Sequence, residues 1–206
     1  MASDEPLLEF RAVMRRLRAE CGWKREQTHR SLARYLVEEL HETLEALDTW
    51  EDAERATAAD AEHLCEELGD LLLQVYFHAV IAEESGAFTI DDVAGDIVEK
   101  MRRRNPHVFG PDASAVPGGT PAQINEVWES IKAAEKQRTS VTDGLPETLP
   151  ALLYADKVLD RLERAGIPAV TDGTDVGDRL LALVDEARAD GVDPEQALRD
   201  AVRRRL

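Results

Sequence analysis

The chain has 206 residues, of which 43% are hydrophobic and 33% charged, and a formal net charge of -17. That length suits one domain with a sizeable core, or one domain plus a smaller companion. The acidity excludes bulk attraction to nucleic acid or to an anionic membrane, so a bound anion would need a metal or a local basic cluster.

Ala, Leu, Glu and Arg dominate and aromatics are few at 5%, which points to an all-α fold. Cys21 and Cys65 are too few for a disulfide framework or a zinc pattern. The N-terminal stretch carries Asp4 and Glu5 and has no apolar core segment, and no run approaches a membrane span. The expected compartment is the cytoplasm.

Residues 6–19 predict a short helix through Leu7, Leu8, Phe10, Met14 and Leu17, with a break at Cys21-Gly22 and a connection holding Trp23 and Gln27-Thr28. A long helix is expected from Ser31 to Trp50, because Leu32, Leu36, Leu40, Leu44 and Leu47 recur at helical period. With Leu36 at zero and about 100° per residue, this stripe centres near ~20°. Glu39 and Glu42 then lie at about 300° and ~240°, bordering the expected core face. Glu38 and Glu45 lie at about 200° and ~180°, facing water.

After a polar stretch at 51–60, Asp60 is expected to cap a second long helix over 61–84. That helix is apolar nearly all round, as buried helices are. Its exception is a strip of Glu67, Asp70, Gln74 and His78. Buried carboxylates need a partner or a metal, and no Lys or Arg occurs between Arg55 and Lys100. Thr89 and Asp92 resemble a capping box for a third helix over 90–104, which ends in Lys100-Met101-Arg102-Arg103-Arg104 before Asn105-Pro106. A Gly/Pro-rich loop at 110–119 leads to Thr120-Pro121 and a helix over 121–138 carrying Trp128 and Lys132.

A linker-like stretch at 139–149 precedes expected helices at 149–164, 175–190 and 194–205. Leu68-Gly69-Asp70-Leu71-Leu72-Leu73 is echoed by Val176-Gly177-Asp178-Arg179-Leu180-Leu181. In this degenerate second repeat Asp175 and Asp178 stand for Glu67 and Asp70, no Glu-Glu-x-x-Glu helix precedes them, and no second active site is expected.

Residues i and i+3 share a helix side, so Glu39 with Glu42, and Glu67 with Asp70, make two edges of a clamp. Facing carboxylates suit Mg²⁺, a hard cation that takes oxygen ligands and is shared with phosphates. Lys100 and Arg104, at i and i+4, could offer donors to a phosphate or simply favour a helix C-terminus.

Glu38-Glu39-x-x-Glu42 followed by Glu67-x-x-Asp70 resembles the signature of the MazG family of nucleoside triphosphate pyrophosphohydrolases. Trp23 with Gln27-Thr28, the run from Lys100 to Phe109, Trp128-x-x-Ile131-Lys132-x-x-Glu135 and Leu149-Pro150-Ala151-Leu152 extend the resemblance. Gly22, Lys24 and Asn105 depart from the family pattern. The resemblance implies a four-helix MazG-like bundle over 1–138, with 139–206 as linker and incomplete second repeat. It implies a homodimer or higher homo-oligomer that converts a nucleoside triphosphate and water to the monophosphate and pyrophosphate by water attack at the α-phosphorus. Carried over by position, Glu39, Glu42, Glu67 and Asp70 are metal ligands for Mg²⁺, or Mn²⁺ in its place. By the same carry-over Lys100, Arg104 and Lys132 contact the triphosphate and Trp128 lies near the nucleotide. Apart from the resemblance, Glu38 could serve as a base or outer-sphere residue. No nucleic acid or membrane partner is expected.

Two other readings use the same residues. One is a catalytically idle helical module for oligomerisation or partner binding, motivated by the incomplete repeat and the changes at Lys24 and Asn105. The other is a di-iron bundle, which needs two Glu-x-x-His pairs, whereas only Glu38 to His41 has that spacing among the clamp residues.

Overall fold

The computed structural model describes residues 5–50, 56–110, 119–136, 140–169 and 173–205. Among these the protein is all-α, with ten helices and no strand. They are α1 Pro6–Glu20, α2 Gly22–Glu26, α3 His29–Trp50, α4 Ala58–Glu84, α5 Ile90–Arg104, α6 Pro106–Phe109, α7 Pro121–Lys136, α8 Ala151–Arg164, α9 Val176–Ala189 and α10 Pro194–Arg203. The chain divides into two compact units, Met1–Gly119 and Thr120–Leu206. Helix α7 thus groups with the C-terminal helices, whereas the sequence division kept it with the first domain. Parts of the expected connections, 51–55 and 111–118, lie outside the described residues, as do 137–139, the last two residues of the expected 121–138 helix and the first of the linker.

In the first unit α3 and α4 form the most extensive helix pair, and α1 and α5 pack on α4. The pairing is antiparallel, since Thr43 Oγ1 reaches the Glu67 carbonyl while Glu39 meets Gln74. Met14, Leu32, Tyr76, Phe77 and Val80 make the core, with Phe10, Leu17 and Leu73 against it. Arg15 and Arg18 on α1 clamp Glu83 and Glu84 at the end of α4, at 2.6–2.9 Å.

Local chemistry sets the helix limits. Thr57, not Asp60, is the N-cap of α4: Asp60 is the third helical residue and closes a capping box back onto Thr57. Thr89 and Asp92 close the expected box on α5. Gly86 at φ 70° and Gly166 at φ 66° take the left-handed conformation that ends α4 and α8. The connection at 22–26 is helical rather than irregular, and so is 106–109. Two of the three departures from the family pattern, Lys24 and Asn105, have structural work to do. Lys24 Nζ sits 5.3 Å from the Phe77 ring centroid, and Asn105 Nδ2 donates to the Met101 carbonyl at 2.8 Å.

The largest correction concerns α3. The leucine stripe is not its packing face in the chain: Leu36, Leu40, Leu44 and Leu47 remain 38%, 45%, 36% and 44% exposed. The buried line is Leu32, Thr43 and Ala46, with Tyr35 and Glu39 half-buried between them. This line centres about 80° from the leucine stripe on the same wheel. Small Thr43 and Ala46 let the two backbones approach closely, and bulky leucines there would hold them apart. Likewise α4 is not buried all round, because Leu68 and Val75 are exposed.

In the second unit α8 packs with α9 and α10 around Leu159 and Val184. Arg188 on α9 binds the Asp156 carbonyl and carboxylate at 3.0 and 2.9 Å, and Glu163 at 2.9 Å. Arg161 donates to the Val141 and Asp143 carbonyls and so fastens the 140–149 segment to α8.

Candidate active site

Rotating α3 by this amount puts Glu39 at the middle of the α3–α4 contact rather than at its border. Glu67 and Asp70 face it from α4, and one oxygen from each of the three carboxylates lies within 4.8 Å of the others. Thr43 holds the two helices in register: its Oγ1 donates to the Glu39 carbonyl at 2.7 Å and also reaches the Glu67 carbonyl at 3.4 Å. Burial, and then the charges of Asp70, Glu42 and Glu67, raise the Glu39 carboxyl above its ordinary range.

Among the described residues no Lys or Arg pairs with these carboxylates, and the nearest basic group is His63 Nδ1, 3.4 Å from Glu67 Oε1. Three hard oxygen donors without a resident cation fit a divalent ion such as Mg²⁺. Sulfur is absent from the set, which argues against a soft metal.

The other expected residues are placed as follows. Glu42 is exposed and lies outside the group of three, yet it acts directly on Glu39. Glu38 is exposed, as its wheel position suggested. Lys100 is half-buried and Arg104 is 9% exposed on the last turn of α5, in the same unit as the cluster. Trp128 and Lys132 sit on α7 in the second unit, where Lys132 Nζ bonds Glu129 Oε1 at 2.8 Å. Asp175 has a different task from Glu67: it is the N-cap of α9 and accepts from the Asp178 amide at 2.8 Å.

Sequence reasoning gave no role to Thr43, and nothing in its residue type marked it. It also left Gln74 and His78 without one, although both lie on the polar strip of α4. Gln74 Nε2 is 3.5 Å from Glu39 Oε1, and His78 stacks on His29 with the two Nδ1 atoms 2.7 Å apart.

A helical fold with a carboxylate cluster between two paired helices defines the class: an all-α protein built to present hard oxygen ligands. Comparison of the sequence names the family. Residues 27–109 match the MazG nucleotide pyrophosphohydrolase domain. The chain is 46% identical over 200 residues to an uncharacterized 26.1 kDa protein of Streptomyces cacaoi, covering 95% of this chain and 77% of that one. It is 36% identical over 223 residues to the nucleoside triphosphate pyrophosphohydrolase/pyrophosphatase MazG of Thermotoga maritima, covering 95% and 81%. With the nucleoside triphosphate pyrophosphohydrolase of Mycobacterium tuberculosis the identity is 42% over 200 residues, covering 96% of this chain but only 55% of the relative. The chain belongs to the MazG family, and so to a family of enzymes, the nucleoside triphosphate pyrophosphohydrolases.

Proposed function

We propose that the chain hydrolyses nucleoside triphosphates, ribo- or deoxy-, to the monophosphate and pyrophosphate with Mg²⁺, and that Mn²⁺ can replace it. The observation that carries this reading is the cluster of Glu39, Glu67 and Asp70, which no Lys or Arg among the described residues pairs with. These three residues would hold the ion, and Glu42 would add an oxygen from the exposed side. When bound, the cation lowers the pKa of a coordinated water and offsets phosphate charge.

The remaining roles belong to the chain's own side chains. Lys100 and Arg104, one turn apart on α5, would donate to the phosphates, Arg104 in bidentate fashion. Lys132 and Trp128 are assigned to the nucleotide on the sequence resemblance. Glu38 keeps solvent access and is proposed as the acceptor of the proton released by the attacking water. Cleansing or regulation of the nucleotide pool in the cytoplasm is the biological role we infer. No helix among the described residues is long and apolar enough to cross a membrane.

The exposed leucines of α3, with Leu68 and Val75 on α4, support a homodimer or higher homo-oligomer, because a monomer leaves these side chains in water. Incubation with Mg²⁺ and a panel of ribo-, deoxy- and modified triphosphates tests the activity. Pyrophosphate and monophosphate are the expected products, and release of diphosphate and orthophosphate refutes the proposal.

A further inference from the structure

Gln74 lies one helical turn beyond Asp70 on α4 and is only 5% exposed. Its Nε2 points at Glu39 Oε1 from 3.5 Å, at the long limit of a hydrogen bond. Its own Oε1 is buried without a partner, and one turn further on the His78 Nε2 is buried without a partner as well. Among the described residues these are the two buried side-chain polar atoms left unsatisfied, and both belong to the strip that carries Glu67 and Asp70.

An unsatisfied buried amide group destabilises, so the fold gains nothing from having Gln rather than an apolar residue of the same length here. Proteins keep such groups where a site requires them. An amide supplies one thing that an apolar side chain cannot, a neutral donor beside Glu39. The neighbours that raise the Glu39 carboxyl are all carboxylates, and among the described residues Gln74 is the side chain that donates toward it.

We propose that Gln74 is a positioning residue for the cation site: its amide holds Oε1 of Glu39 and so leaves the second oxygen directed at the ion. This rests on reading Glu39, Glu67 and Asp70 as that site. The Gln74 carbonyl stays unpaired because the geometry is set by the donor end. Glu39 held this way keeps one orientation with or without the ion, and binding does not then have to order it.

The test is direct Mn²⁺ binding to the metal-free full-length chain, followed by electron paramagnetic resonance, alongside thermal melting without metal. Gln74→Met keeps length and helix propensity but removes the donor. It should weaken Mn²⁺ about tenfold or more, as loss of an outer-sphere partner does, while the metal-free melting temperature stays level or rises. Gln74→Asn, one methylene short, should weaken Mn²⁺ similarly and decides the matter if the Met variant does not fold. Mn²⁺ affinity within twofold of the parent in the folded variants overturns the proposal. So does a loss matched by a lower metal-free melting temperature in Gln74→Met, which is what a packing role predicts. A parent chain that binds no Mn²⁺, or binds it unchanged with Glu67→Gln, overturns the cation site itself.

Discussion

Leu40→Ala should weaken self-association about 30-fold without unfolding the protomer. Leu40 is 45% exposed although it sits in the middle of a five-leucine stripe on α3. Burying a whole leucine side chain stabilises by about 2 kcal/mol, so covering the exposed half contributes about 1 kcal/mol per protomer. An isologous interface uses the residue twice, which gives ~2 kcal/mol per dimer, or about 30-fold in the dissociation constant. The protomer core of Met14, Leu32, Tyr76, Phe77 and Val80 does not include Leu40, so the helical circular dichroism of the variant should be that of the parent. Sedimentation equilibrium across a hundredfold range of concentration measures the effect. Leu32→Ala is the counter-case: Leu32 is 1% exposed, and its truncation should cost protomer stability by about 2–5 kcal/mol instead. A parent chain that is monomeric throughout, or a Leu40→Ala dimer as tight as the parent, would refute the reasoning.

Asp70→Asn should abolish Mg²⁺-dependent pyrophosphate release in a hydrolysis assay. Because it removes a charge that presses on Glu39, it should also leave the metal-free melting temperature level or higher. Lys100→Ala should raise KM for the triphosphate in steady-state kinetics while the metal-free melting temperature stays within a few degrees. Burial, and then the charge of His29, hold His78 below the ordinary histidine range. A His whose folded pKa is depressed loses stability as pH falls: the unfolded chain takes up the proton from about 6.5 downward while the folded chain refuses it. The Glu84 carboxyl is lowered by its hydrogen bond from Arg18, so that contribution is present above the ordinary carboxylate range and is lost on further acidification. In urea melts between pH 7 and 5 the parent should therefore lose stability relative to His78→Phe as the pH falls.

Helix limits were legible where a helix carries its own punctuation, and the short α2 and α6, which have no side-chain cap, were missed. The Thr89–Asp92 box, the Asp193-Pro194 start of α10 and the glycine after α4 act within one turn, so a single sequence holds the information. The cap of α4 was misplaced because Thr57 and Asp60 are both good capping residues and form one box, and sequence alone does not say which member is outside the helix. The rotation of α3 was not legible. A hydrophobic wheel reports where apolar residues lie, not which surface covers them. A helix with two apolar faces, one for its own chain and one for another surface, shows only their sum. Here the stronger face is the exposed one.

The carboxylates were legible for the opposite reason. Charges on an otherwise apolar helix oppose the physics of burial, so Glu67 and Asp70 stood out before any fold was known. Glu39 was separated from Glu38 by angle alone, and the structure moves it further inward, to the centre of the helix contact. The same displacement sets Glu42 apart: on the wheel it borders the packing face about 60° from Glu39, and in the chain it is exposed. Glu39 and Glu42 therefore differ in what their removal should do. Glu39→Gln takes away a carboxylate whose ionised form burial and three neighbours disfavour, so the metal-free protein should gain stability at neutral pH. The sign follows from linkage: a raised carboxylate pKa costs nothing below the unfolded value and its full penalty above the folded one. Glu42→Gln removes an exposed group and should move the metal-free melting temperature less. Thermal melts of both variants at pH 7 without metal compare them, and an equal shift for both would mean that Glu39 is no more constrained than its solvent-facing neighbour.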